Sequence, residues 1–157
     1  MTLGETLHKN LSDWPANTDG PHECAASAGG WTATAHADKI DSVGARLNHL
    51  DLTRTAAAPE GTTLGGWADG VAKRATGLLE RLKVHEVDAT HDTAVLRSDA
   101  PSVKGGVAGY YEVVLKGTDQ ASVSRYQADR AAGTPREQVP FTLTHDAIAK
   151  LADDIAG

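Results

Sequence analysis

His22 and Cys24 stand two residues apart, a spacing that puts both side chains on one face of an extended strand. An imidazole and a thiolate so placed are two zinc ligands in need of more. His36 is the candidate third, and whether it joins them depends on the turn between. A three-residue turn at 28–30 pairs Ser27 with Trp31 and sets His22 opposite His36. A tighter turn at Gly29–Gly30 pairs Ala28 with Trp31 and brings His36 to face Glu23 instead. Two-residue turns with positive φ suit a Gly-Gly pair best, and no fourth ligand is evident. No metal is therefore assigned; whether His22, Cys24 and His36 meet is a matter of register.

Other chemistry has less to stand on. The phosphate loop G-x-x-x-x-G-K-[ST], the dinucleotide fingerprint G-x-G-x-x-G and the nucleophile elbow G-x-S-x-G are all absent. GTTLGG at 61–66 lies at an expected helix N-terminus, where amides favour anions in general; without a lysine it reads as an ordinary cap. His85, His91 and His145 have no identified partner, and His91 and His145 are expected to be exposed. Asp153 and Asp154, adjacent in a helix, point different ways, and Glu86 and Asp88 share a strand face with Val84 that reads as solvated. No catalytic residue and no cofactor is assigned.

Two surface patches stand out. On an expected helix over 63–82, Gly66, Gly70 and Gly77 cluster on one face, bordered by Arg74 and Arg81. Each Gly within a helix costs roughly 1 kcal/mol relative to Ala, while small residues let another backbone approach closely. That face is expected to be covered, by a second subunit or by the N-terminal helix; the competing reading is a Gly-rich composition alone. The second patch is Arg125, Arg130 and Arg136, gathered around a loop at 129–138 in an otherwise acidic chain, where guanidinium groups can grip carboxylates or phosphates.

The elements that must position these residues follow from periodicity. Leu3, Leu7, Leu11 and Trp14 predict a short helix ending before Pro15, and 15–21 reads as a loop. HECAASA, WTATAHADKI and ARLNHLDLTR read as strands. Leu64, Trp67, Ala68, Val71, Ala75, Leu78, Leu79 and Leu82 recur at helical spacing behind Thr62 or Thr63 as N-cap, and predict the long helix over 63–82. KVHEVDA, TAVLRS, GYYEVVLKG and ASVSRYQAD predict four more strands, with 99–108 as a flexible connection. Leu143, Thr144 and Ile148 fit a capped final helix with a hydrophobic staple, and Ile148, Leu151, Ala152 and Ile155 form its apolar stripe. Tyr111, Val113 and Leu115 face one side of their strand, and Tyr110, Glu112, Val114 and Lys116 the other, so one sheet face is expected to be wet.

The expected class is α+β over 1–157 as a single domain. It comprises a mostly antiparallel sheet with a long central helix and a C-terminal helix packed on it, plus a short N-terminal helix, with the helix and loop of 1–21 expected at the periphery. At 157 residues and 16.4 kDa the chain is long enough for a real core. Aromatics make up only 4%, so aliphatic side chains and Ala must fill it. A net charge of -6, with no basic face, argues against nucleic acid. One cysteine excludes an internal disulfide and fits a reducing compartment. The N-terminal residues lack the pattern of a signal peptide and no run approaches a membrane span, so a cytoplasmic protein is expected.

These features together predict a small acidic interaction module, adaptor- or chaperone-like and without catalytic activity, whose partner is another protein or a second copy of itself. The element order resembles that of small acidic secretion chaperones, which also carry a central helix between strand groups; no residue motif carries the likeness. The alternative is a small enzyme or ligand-binding domain with a pocket between the sheet and the last helix, lined by Tyr110 or Tyr111, Arg125 and His145. A deep cleft with those side chains converging would favour it; a flat, filled sheet would favour the module.

Overall fold

A computed structural model describes residues 1–15 and 19–157. In chain order the elements are α1 (Leu3–Ser12), β1 (Asp19–Ala28), β2 (Trp31–Ile40), β3 (Gly44–Arg54), α2 (Leu64–Arg74), β4 (Leu82–Asp88), β5 (Thr93–Ser98), β6 (Ser102–Lys104), β7 (Val107–Lys116), β8 (Gln120–Asp129), β9 (Glu137–Val139), β10 (Phe141–Thr144) and α3 (His145–Ala156). The ten strands form one sheet in the order β1-β2-β3-β8-β7-β5-β4, with β10 on β3, β6 on β7 and β9 on β8. Every pairing is antiparallel. Of the loop expected at 15–21, residues 16–18 lie outside the described residues, and Asp19–Pro21 already belong to β1.

The expected class needs correction. With helices of only 10, 11 and 12 residues beside ten strands, the protein is largely β, and it has no long central helix. α2 starts where expected, with the Thr63 hydroxyl accepting from the Gly66 amide, but it stops at Arg74. Thr76 and Gly77 are poor helix formers, and Leu79 sits at φ 62, a left-handed conformation no α-helix contains. Ala75, Leu78 and Leu82 are buried all the same, Leu82 as the first residue of β4. The apolar spacing therefore reports burial correctly while the conformation changes beneath it.

The three helices pack on one face of the sheet. Leu7 and Leu11 of α1, Trp67 and Val71 of α2, and Ile148 and Ile155 of α3 join the inward side chains of the strands in one core cluster. Strand alternation supplies the other half: Trp31, Ala33, Ala35 and Ala37 of β2 point into this layer, as do Leu50 and Leu52 of β3 and Val113 and Leu115 of β7. Short alanines on β1 and β2 let the helices approach closely. The Trp67 indole donates to the Ile155 carbonyl at 2.8 Å, tying α2 to α3 inside the core. α1 meets α3 with almost no gap: a Cβ on Gly4 would lie 2.3 Å from the Ala149 oxygen. Asp153 accepts from the Gly4 amide at 2.7 Å, so a carboxylate of α3 closes the positive end of α1.

Turn chemistry fixes the hairpins. Gly29 (φ 60) and Gly30 (φ 82) close β1–β2 with Ala28 opposite Trp31, the tighter of the two registers. Gly105 (φ 58) and Gly106 (φ 82) make the same turn between β6 and β7, within the segment expected to be a flexible connection. Among the described residues no helix is long and apolar enough to cross a membrane.

Candidate functional site: the open face of the sheet

With all three helices on one side, the other side of the sheet carries no covering layer of helix among the described residues. The strands' alternate residues stand there: Thr32, Thr34 and His36 of β2, His49, Asp51 and Thr53 of β3, Ser122, Ser124 and Tyr126 of β8, Tyr110, Glu112 and Val114 of β7, and Arg97 of β5. Cross-strand pairing sets them side by side, Asp51 opposite Ser122, Glu112 opposite Ser124 and opposite Arg97, Tyr110 opposite Tyr126. A shallow concavity of about 480 Å³ runs across the middle strands, its floor including Asp51, Thr53, Ser122, Ser124, Glu112 and Tyr126.

At one end of this face Glu112 organises the charges. It is only 4% exposed, yet Arg97 Nε donates to its Oε1 at 2.9 Å, and Arg136 grips both oxygens from Nη1 and Nη2 at 2.9 and 3.1 Å. Burial pushes its carboxyl pKa up, but the hydrogen bonds from Arg136 and Arg97 outweigh that and hold it below the usual range. The Arg136 guanidinium also lies 3.8 Å over the Tyr126 ring and donates to the Tyr110 hydroxyl.

At the other end two imidazoles stack. His36 and His49 are cross-strand partners whose rings lie 4.0 Å apart at 19°. Both aim Nε2 at Asp51 Oδ2, from 3.1 and 3.3 Å. Glu23 Oε1 stands 3.5 Å from the other nitrogen of His36.

The residues singled out from sequence are dispersed. Cys24 faces the helices, 1% exposed and paired with Ala35, and burial pushes its thiol pKa up to about 11. His22 packs edge-on against Trp14. His36 is on the opposite face from Cys24, so His22, Cys24 and His36 do not assemble. Of the glycine stripe, Gly66 and Gly70 are in α2, whereas Gly77 and Arg81 lie beyond its end. Arg74 itself lies across Gly70, where a Cβ would meet its Nη1, while its Nε donates to the Asp154 carbonyl. Arg125 and Arg136 are on opposite faces: Arg125 lies on the helix side, 3.0 Å from Glu80 Oε2 and over the Tyr111 ring, while the Arg136 grip on a carboxylate is spent within the molecule. Arg130 is exposed at the end of the β7–β8 ribbon.

His145 is buried rather than exposed, at 3%, because α1 folds over it and places the Ser12 hydroxyl 3.4 Å from its Nδ1. Tyr110, Tyr111, Arg125 and His145 do not converge on a cleft beneath α3. His49 was missed by sequence reasoning. His49-x-Asp51 does carry a signal, a two-residue spacing in a strand, but meeting His36 depends on the pairing of β2 with β3, which sets His36 opposite His49. Comparison with known protein families, with curated proteins and with solved structures finds no match to this chain.

Proposed function

We propose that this chain is a non-catalytic binding module that meets another protein through the open face of its sheet. The observation that carries the reading is the preorganised, uncovered array on that face, from the His36–His49 stack across Ser122 and Ser124 to Tyr110, Tyr126, Arg97 and Arg136. Tyrosine and arginine are the side chains enriched at the centres of protein interfaces. Here the arginines are already locked by Glu112, so little side-chain freedom is lost when a partner docks. The helix side is filled by the protein's own core, which leaves the pocket-based alternative without its lining residues in one place.

Position-resolved photocrosslinking tests this. A photoreactive side chain at Ser124, on the open face, is expected to trap one partner protein in cells, and the same group at Asp69, on α2, to trap none. Adducts from Asp69 alone, or from neither position, would refute the reading. An adduct of twice the chain mass from Ser124 would make the partner a second copy.

A further inference from the structure

We infer that His36, His49 and Asp51 form a binding site for one zinc-class divalent cation, independent of any protein partner. The three ligand atoms lie within 4.8 Å of one another. Zinc holds nitrogen and carboxylate oxygen at about 2.0–2.2 Å, so ligand atoms on a tetrahedron around it stand about 3.3–3.6 Å apart. The 3.1 and 3.3 Å separations from Asp51 Oδ2 to the two Nε2 atoms lie near that edge, and the stacked rings, 4.0 Å apart at 19°, tilt toward each other at Nε2 for both lone pairs to reach one ion.

The surroundings suit a metal better than a simple hydrogen-bonded triad. Both imidazoles direct the same nitrogen, Nε2, to one oxygen, although one carboxylate offers two. Glu23 stands beside Nδ1 of His36, the place from which an outer carboxylate orients a metal-bound imidazole and raises its basicity. His36, His49 and Asp51 come from two adjacent interior strands, β2 and β3, rather than from a loop, so their backbone spacing is fixed before any ion arrives. Side-chain exposures of 23%, 34% and 40% leave the site shielded on the sheet side and open above. Two imidazoles with one carboxylate favour zinc, copper or nickel over calcium or magnesium, which prefer all-oxygen cages. A fourth position faces solvent and is free for water or an anionic group.

The test is calorimetric titration of zinc chloride into tag-free, chelator-stripped full-length protein. One ion per chain with a dissociation constant below about 10 μM is expected. H36Q, H49Q and D51N are each expected to weaken binding by at least about tenfold, and E23Q by a smaller factor, as outer-shell changes do. H91Q, which alters an exposed histidine in the β4–β5 turn, is the control and leaves binding unchanged. Cobalt(II) supplies a second readout: intense visible absorption from a four-coordinate site in the wild type, lost in H49Q while circular dichroism stays native. Zinc uptake well below one per chain, or uptake that H36Q and H49Q leave intact, would overturn the assignment. Neither result depends on whether a protein partner exists.

Discussion

Glu112 shows how a single residue answers to opposing effects. Its burial alone would favour the neutral acid, and two guanidinium groups reverse that. A carboxyl held below its ordinary value adds stability above that value and loses it as the pH falls through the folded one. The urea midpoint of the wild type is therefore expected to drop below pH about 4.5, the ordinary glutamate value, and that of E112Q to drop less. At neutral pH E112Q is expected to cost about 1–2 kcal/mol, since Arg97 and Arg136 remain partly solvated and a screened pair is worth less than a buried one. An equal acid response in both proteins would show that the three-residue cluster contributes nothing. Cys24 yields a second expectation. Its thiol is buried and its pKa pushed up to about 11, so the folded protein at pH 8 should leave a disulfide reagent such as DTNB unreacted, while urea-unfolded protein consumes one equivalent. Rapid labelling of the folded chain would mean that the α1 layer opens.

Among the elements, α1 depends most on close fit. It is 10 residues long, marginal by itself, and held by a capping box at Thr2 and Glu5, by Asp153 at its N-terminus, and by Leu3, Leu7 and Leu11 in the core. Gly4 is the point where α1 and α3 touch through backbone, and an added methyl would meet a carbonyl oxygen that cannot rotate away. Gly4→Ala is expected to destabilise the protein by about 1–3 kcal/mol despite the better helix propensity of alanine. An unchanged or raised melting temperature would show that the two helices separate in solution. The premature end of α2 has a matching consequence. Leu79, left-handed and fully exposed, satisfies neither its backbone nor its side chain. Leu79→Gly should stabilise by about 0.5–1 kcal/mol, the left-handed penalty less the extra freedom of an unfolded glycine.

For the whole molecule, the pairing that matters is β3 with β8, which joins strands almost seventy residues apart and makes one sheet of two strand groups. Leu50 faces Val123 at this seam and is fully buried. Leu50→Ala is expected to cost about 2–5 kcal/mol, with tryptophan fluorescence from the N-terminal part and far-ultraviolet circular dichroism still changing together. Separate transitions would mean that the strand groups fold independently. The features legible in the residues alone were those decided within a few positions: the Gly29–Gly30 turn, the alternation that puts Tyr111, Val113 and Leu115 on one face, a cap at Thr62 or Thr63, the Thr144 cap and the stripe of α3. Each depends on contacts that the local backbone makes with itself or with one facing layer. The end of α2 was not legible, because helix and extended chain bury Ala75, Leu78 and Leu82 equally well. Nor was the burial of His145, which depends on a helix more than 130 residues away, or the meeting of His36, His49 and Asp51. That last juxtaposition depends on which residue of β2 stands opposite which residue of β3. The two register shifts beside Ala37 compensate and leave His36 facing His49. Side-chain period within one strand says nothing of its partner's alignment, so only the packed sheet decides it.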